Sequence, residues 1–356
     1  MLDETRILDH FAEQAGWCED LGSPFTAALL RKFAVDFEAG GPVADICGDW
    51  SGNPRKDALG LRLTGFLHHA VLTGTAPELA ETYPAASPGW DMDTVWRQAK
   101  AFLAAHPDAA RAFLQSAPQT NETRRSIALL PGFLDLAARF RMPIHLLELG
   151  ASAGLNQNWD RFTYDGGTWQ RPGASDVTIS TVWNGPEPAH LDAAPVIASR
   201  AGCDLNPIDV SDDAAFLRLK SYTWPDQAGR LARLDAAAEL ARQRGVRIER
   251  ANAVDWLAER LANRPSEGLT IVYHSVFLIY PPKDDIARIK HLIEEAGAAA
   301  TASAPLAWLC FEPESLFGGD RTSPRMQTRL QAWPDGTARI LNESDGHVTH
   351  VDVLPA

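Results

Sequence analysis

Basic charge is scarce in this chain of 356 residues: 33 Lys and Arg stand against 46 Asp and Glu, a net charge of −13. An acidic surface does not neutralise a phosphate backbone or an anionic membrane, so nucleic acid and membrane are not expected as partners. The pair Arg124-Arg125 is too local to change this. Cysteine is scarce too. Cys18, Cys47, Cys203 and Cys310 stand far apart with no C-x-x-C pair, so reduced, buried thiols are expected, and no structural metal. No apolar run approaches the ~18 residues of a membrane-spanning helix. The opening MLDETRILDHFAEQ carries acids early and no apolar stretch, so no secretory leader is expected and a cytoplasmic location is. No repeat or low-complexity tract interrupts the chain. What remains is ordinary: 45% hydrophobic and 22% charged residues, in a length that suits two domains or one large decorated domain.

Residues 1–142 read as an all-helical N-terminal domain. Ser23-Pro24 has the chemistry of a helix start, and FTAALLRKFAVDF follows with apolar residues at helical spacing. Gly40-Gly41-Pro42 stops that helix. Ala58 to Leu72 and Val95 to Leu103 repeat the pattern, and a last helix is expected from about Asn121 to Phe140. Nothing in this part reads as a strand.

After Met142-Pro143 the texture changes. Strand-length apolar runs alternate with helices: IHLLEL, then Pro195 to Cys203, VRIER (246–250), LTIVYHS (269–275) and LAWLCFEP (306–313). Helices are expected over 229–245 and 284–300. This alternation predicts an α/β domain over 143–356, with a doubly wound, mostly parallel sheet covered on both faces. ARILNES and HVTHVDV, turned by Asp345-Gly346, predict a C-terminal antiparallel hairpin. The stretch 163–188 breaks the rhythm and reads as an inserted hairpin or flap.

LLELGASAGLN (146–156) carries two chemistries at once. Gly150-x-Ser152-x-Gly154 is a literal nucleophile elbow, with acids Glu312 and Asp320 and then His347 and His350 downstream, the order of a serine hydrolase. Glu148-x-Gly150-x-Ser152-x-Gly154 is a strand ending in an acid and a glycine loop, which suits a nucleotide-like cofactor because glycines let a ligand approach the backbone. The later strands end in polar residues that fit the second reading: Asp204 and Asn206 in GCDLNP, Asn252 and Asp255 in RANAVDWL, and Tyr273, His274 and Ser275 in YHS. Each has a plain structural duty as well: Glu148 or Asn156 at a helix start, Asp204 in an Asx turn, His274 in the core, Asp255 as a helix cap.

On these residues, Pro143 to Ala356 resembles the class I S-adenosylmethionine-dependent methyltransferases, with LLELGASAG as their acid–glycine motif and Ser152 at the middle glycine. The whole chain also resembles a bacterial family of uncharacterised proteins, a domain of unknown function, through ELGASAGLN, GCDLNP, SYTWPDQ, YHS and QTNETRRSIALLPG. The first resemblance implies a Rossmann-like fold and an S-adenosylmethionine cofactor. By it Glu148, Gly150, Ser152, Gly154 and Asn156 surround the methionine and ribose, Asp204 and Asn206 take the ribose, Asn252 and Asp255 face the adenine, and Tyr273, His274 and Ser275 stand at the reacting centre. Asn121 and Glu122 are placed near the cofactor mouth, and Tyr222 or Trp224 as a pocket wall. The expected function is a small-molecule methyltransferase. A serine hydrolase using Ser152 and a non-catalytic ligand-binding module remain as alternatives.

Overall fold

The computed structural model describes residues 2–320 and 322–354. The chain forms two compact units, one of Met1–Thr120 with Ser211–Ala232, the other of Asn121–Val210 with Arg233–Ala356. A cut after residue 142 divides the sequence differently, because residues 121–142 and 211–232 each group with the other side of it.

The first unit is helical: α1 (Leu2–Asp20), α2 (Pro24–Glu38), α3 (Pro42–Cys47), α4 (Leu59–Leu72), α5 (Pro77–Ala80), α6 (Met92–Ala105), α7 (Pro107–Leu114) and, beyond α8, α9 (Asp213–Ser221). Ser23 caps α2 with Pro24 at its first position. Asp91 and Asp212 cap α6 and α9 in the same manner, each accepting amides that the first turn leaves unpaired. The core gathers Phe11, Phe25, Phe33, Leu63, Leu67 and Tyr83. Tyr222 and Trp224 are buried in this same helical core. No described helix in either unit is long and apolar enough to cross a membrane.

The second unit is α/β. It contains α8 (Arg125–Phe140), β1 (Ile144–Leu149), a 3₁₀ segment (Leu155–Arg161), β2 (Thr163–Asp165), β3 (Gln170–Arg171), β4 (Thr178–Ser180), β5 (Val182–Asn184) and β6 (Ile197–Asp204). After α10 (Ala228–Arg244), most of which lies in this unit, come β7 (Glu249–Arg250), α11 (Ala253–Ala262), β8 (Leu269–Ser275), α12 (Lys283–Ala298), β9 (Leu306–Pro313), β10 (Met326–Trp333), β11 (Thr337–Ser344) and β12 (His350–Val353). Nine strands form one mixed, mostly parallel sheet in the order β5-β12-β11-β10-β9-β8-β1-β6-β7. From β7 to β9 all neighbours run parallel, whereas β9, β10, β11 and β12 meander antiparallel.

β1, β8 and β9 occupy the predicted residues, and their near-continuous burial explains why their sequences do not alternate. The strand expected over 246–250 shrinks to Glu249–Arg250, a two-residue edge that pairs with Cys203 and Asp204. The 163–188 insertion is more than a hairpin: β3-β2-β4 form a small sheet of their own, and β5 joins the large sheet beside β12. β10 was not expected at all.

Register decides which side chains share a face. Glu148 on β1 lies level with Gly202 on β6 and Tyr273 on β8, so all three point the same way. Phe133 of α8 covers that face. It stacks on Trp159 with 4.1 Å between ring centroids and meets Tyr273 edge-on at 5.3 Å. Leu147, Leu149, Val272 and Trp308 point to the other face, against Val254 and Leu257 of α11 and Ile289 and Ile293 of α12. Each fully buried aliphatic side chain there contributes about 2 kcal/mol.

Candidate functional site

Beyond Leu149 the backbone turns left-handed at every second residue: Gly150 at φ +64°, Ser152 at +54° and Gly154 at +69°. Glycine is required at Gly150 for a second reason, since a Cβ there would overlap the Phe277 ring. At Gly154 a Cβ would lie 2.6 Å from Ile248 Cδ1. Ser152 holds a conformation that disfavours side chains by about 1–3 kcal/mol. Two bonds fix it: its amide donates to Asp204 Oδ2 at 2.9 Å, and its carbonyl accepts from the Ile208 amide at 3.1 Å. Asp204 Oδ1 accepts the Asn206 amide at 2.9 Å, so the acid at the end of β6 closes an Asx turn and clamps the glycine loop together. Each Asp204 oxygen keeps a further lone pair. Asn206 is exposed, and its side-chain oxygen accepts from Arg250 at 3.0 Å.

The exit of the loop is held from before α8. Asn121 Oδ1 accepts the Leu155 amide at 3.0 Å, and the Glu122 carbonyl accepts from Asn156 Nδ2 at 3.3 Å. Glu122 also pairs with Arg233 at 3.1 Å, both side chains being nearly covered. Asn121, Glu122 and Asn156 therefore support the loop, and Asn156 Oδ1 stays buried with no partner.

Glu148 is buried, with Gln157 of the 3₁₀ segment facing it. Burial pushes its carboxyl up to about 8; hydrogen bonding toward Tyr273 and Gln157 pulls it back, and the nearby Asp204 charge adds to the rise. The contacts are loose, for Glu148 Oε2, the Tyr273 hydroxyl and Gln157 Nε2 each lack a partner of good geometry. Burial and the Glu148 charge together raise the Tyr273 phenol well above its usual range. Asn158 is fully buried with both side-chain polar atoms unpartnered. Gln157 and Asn158 lay outside the sequence reading. The signal for them was a polar pair, LNQNWD, directly after a glycine loop.

β8 divides its residues by face. His274 points away from Glu148 and is fully buried. Its Nε2 accepts the Trp308 indole N–H at 2.9 Å, and since an indole only donates, this fixes the tautomer with the proton on Nδ1. Nδ1 then donates to Glu312 Oε1 at 2.7 Å. The same oxygen accepts the Phe277 and Leu278 amides at 2.7 and 3.2 Å. Both His274 nitrogens are thus engaged in holding the segment after β8, and neither is open to a substrate proton. Ser275, half-buried, ends the strand. Val276 is left-handed at φ +52° with its amide on the Phe311 carbonyl at 2.8 Å. The segment then lays Phe277 against Gly150 and displays Ile279 and Tyr280, 49% and 76% exposed.

Asn252 caps α11, accepting the Val254 amide at 2.8 Å, while Asp255 is exposed in the first turn. The cap is thus Asn252 and not Asp255. Ser152 Oγ is buried without a hydrogen-bond partner, so no base of the described residues activates it. His350 instead lies 3.3 Å from Asp345.

The carboxyl ends of β6, β1 and β8 therefore bring together a left-handed glycine loop, two acids and a rigidly held apolar segment. In chain order the parallel strands run third, second, first, fourth, fifth across the sheet. The order reverses beside β1, where doubly wound sheets open a ligand crevice. A family model described as "Uncharacterized protein conserved in bacteria (DUF2332)" matches residues 8–352, and the chain belongs to that family. No curated protein and no solved structure matches it.

Proposed function

We propose that this chain binds S-adenosylmethionine at the carboxyl ends of β6, β1 and β8 and transfers its methyl group to a small molecule. The observation that carries the reading is the loop Gly150–Gly154, left-handed at Gly150, Ser152 and Gly154 and clamped by Asp204 at the reversal of the strand order. The third-second-first-fourth-fifth order of the parallel strands supports the reading, since a doubly wound sheet binds its ligand at the carboxyl ends of the strands where that order reverses.

The charge of the loop selects among nucleotide-like ligands. No Lys or Arg lies between Gly150 and Asn156, two acids flank the loop, and the Leu155 amide is already taken by Asn121. Phosphates need free amides and positive charge. A cationic, phosphate-free cofactor suits these groups better. The fit extends to single atoms: Glu148 Oε2 and Ser152 Oγ are buried and unpartnered.

On this reading Asp204 holds the ribose hydroxyls with its outer lone pairs, and Glu148 and Ser152 face the amino-acid end. Asp255 and Asn252 flank the adenine. Bound, the sulfonium supplies an electrophilic methyl group. The protein's share is alignment and exclusion of water, which such a transfer needs more than a fixed base. His274 serves by positioning the segment 276–280, whose Ile279 and Tyr280 face the acceptor together with Ser275.

The product S-adenosylhomocysteine at about a hundred times its Kd adds about 2.7 kcal/mol to the folded state. A rise in Tm of several degrees is expected for the wild type and none for Gly150→Val. Equal unfolding curves with and without the nucleoside in the wild type count against the reading.

A further inference from the structure

Glu148 is a buried acid, and among the described residues no cation pairs with it. Tyr273 from β8, Gln157 from the 3₁₀ segment and Asp204 from β6 face it. Asp160 and Arg200 act on the adjoining Tyr273, and α8 brings the apolar Phe133 ring. Arg200 is the basic group of this set, and it is committed elsewhere, to Asp160 at 2.9 Å and the Gln157 carbonyl at 2.7 Å. An ionised Glu148 would be a buried charge with no cation beside it, only the loose hydrogen bonding of Tyr273 and Gln157, and such a group keeps its proton instead. Yet it stands two residues before Gly150, and Asp204, partly exposed, reaches the same loop through the Ser152 amide. Two neighbouring acids, one of them with a buried, unpartnered oxygen, lack one thing, a positive group supplied from outside.

We infer that the loop is a proton-linked cation site: Glu148 holds a proton while the site is empty and releases it when an ammonium or sulfonium group settles beside Glu148 and Asp204. The inference rests on the proposed cofactor, which carries both groups. The carboxyl O–H bond breaks, the proton passes to the buffer, and the carboxylate pairs with the cation, so about one proton leaves per ligand bound. Affinity then climbs about tenfold per pH unit below the Glu148 pKa and levels off as pH nears 8.

Calorimetric titration at pH 7 with S-adenosylmethionine and S-adenosylhomocysteine, in phosphate and in Tris, counts the protons. About one released proton is expected for the wild type. Glu148→Gln, which copies the protonated carboxyl, is expected to bind with no dependence on buffer. Ligand-free unfolding supplies the second readout. The unfolded chain loses the Glu148 proton near 4.5 and the folded chain only near 8, so stability is full below the first value and drains between the two. The Tm advantage of Glu148→Gln over the wild type must therefore widen from pH 5 to pH 8. Parallel pH curves overturn the inference whatever the cofactor does. Wild-type binding with equal heats in both buffers overturns it and leaves the cofactor reading standing. Widening curves without binding of either nucleoside overturn the cofactor reading, and the cation half of the inference with it.

Discussion

At the scale of single residues, His274 illustrates how a side chain with catalytic chemistry is spent on structure. Trp308 donates to one ring nitrogen and Glu312 accepts from the other, all inside an apolar face. Trp308→Phe keeps the ring and deletes the donor, leaving His274 Nε2 buried and unpaired. A loss of about 1–3 kcal/mol in urea unfolding is expected; a loss below about 0.5 kcal/mol would contradict the bond. The sequence showed a histidine in a buried strand but not its partners, because they lie on the neighbouring strand β9. There the register pairs His274 with Cys310 and sets Glu312 two residues along. The glycine loop was readable in a way that His274 was not. Gly150 and Gly154 announce left-handed backbone by their identity alone, whereas Glu148 carries no mark of its burial, since the groups that face it, Tyr273, Gln157 and Asp204, come from other elements.

At the scale of elements, the segment after β8 owes its shape to one carboxylate oxygen. Glu312 Oε1 holds the Phe277 and Leu278 amides, and through them the Phe277 ring stays on Gly150. In Glu312→Ala these two amides should exchange with solvent at least about tenfold faster, with the amides of β12 unchanged. Uniform acceleration across the sheet would mean that Glu312 supports the whole core and not this segment. Apolar runs announced β1, β8 and β9 because parallel strands buried on both faces must be apolar throughout. β10 hid because MQTRLQAW buries polar residues: Thr328 donates to Asn342 at 2.8 Å and Gln327 to Glu343 at 2.9 Å, so no hydrophobic period marks it. The insertion hid its division for another reason. VTISTV alternates evenly, yet β4 and β5 split it between two sheets.

At the scale of the whole molecule, the change of texture after Met142 separates helical from α/β sequence, but the compact units follow packing. α8 carries the periodicity of the helices before it and belongs with the sheet it covers, as Phe133 shows against Tyr273. Residues 211–232 return to the helical unit because Tyr222 and Trp224 bury themselves in its core. Helical periodicity says that a face is apolar and not which core receives it. On the proposed reading the two acids at the loop, Glu148 and Asp204, with no Lys or Arg between Gly150 and Asn156, favour a cationic small ligand over a phosphate-bearing one. The most direct measurement of that claim is calorimetric titration of the intact chain with S-adenosylmethionine, alongside NAD as a phosphate-bearing competitor and Asp204→Ala as the site variant. Micromolar binding of S-adenosylmethionine, weakened at least about tenfold by Asp204→Ala and unaffected by NAD, is the predicted result. Binding of NAD with no heat from S-adenosylmethionine, in protein shown to be folded, would contradict it.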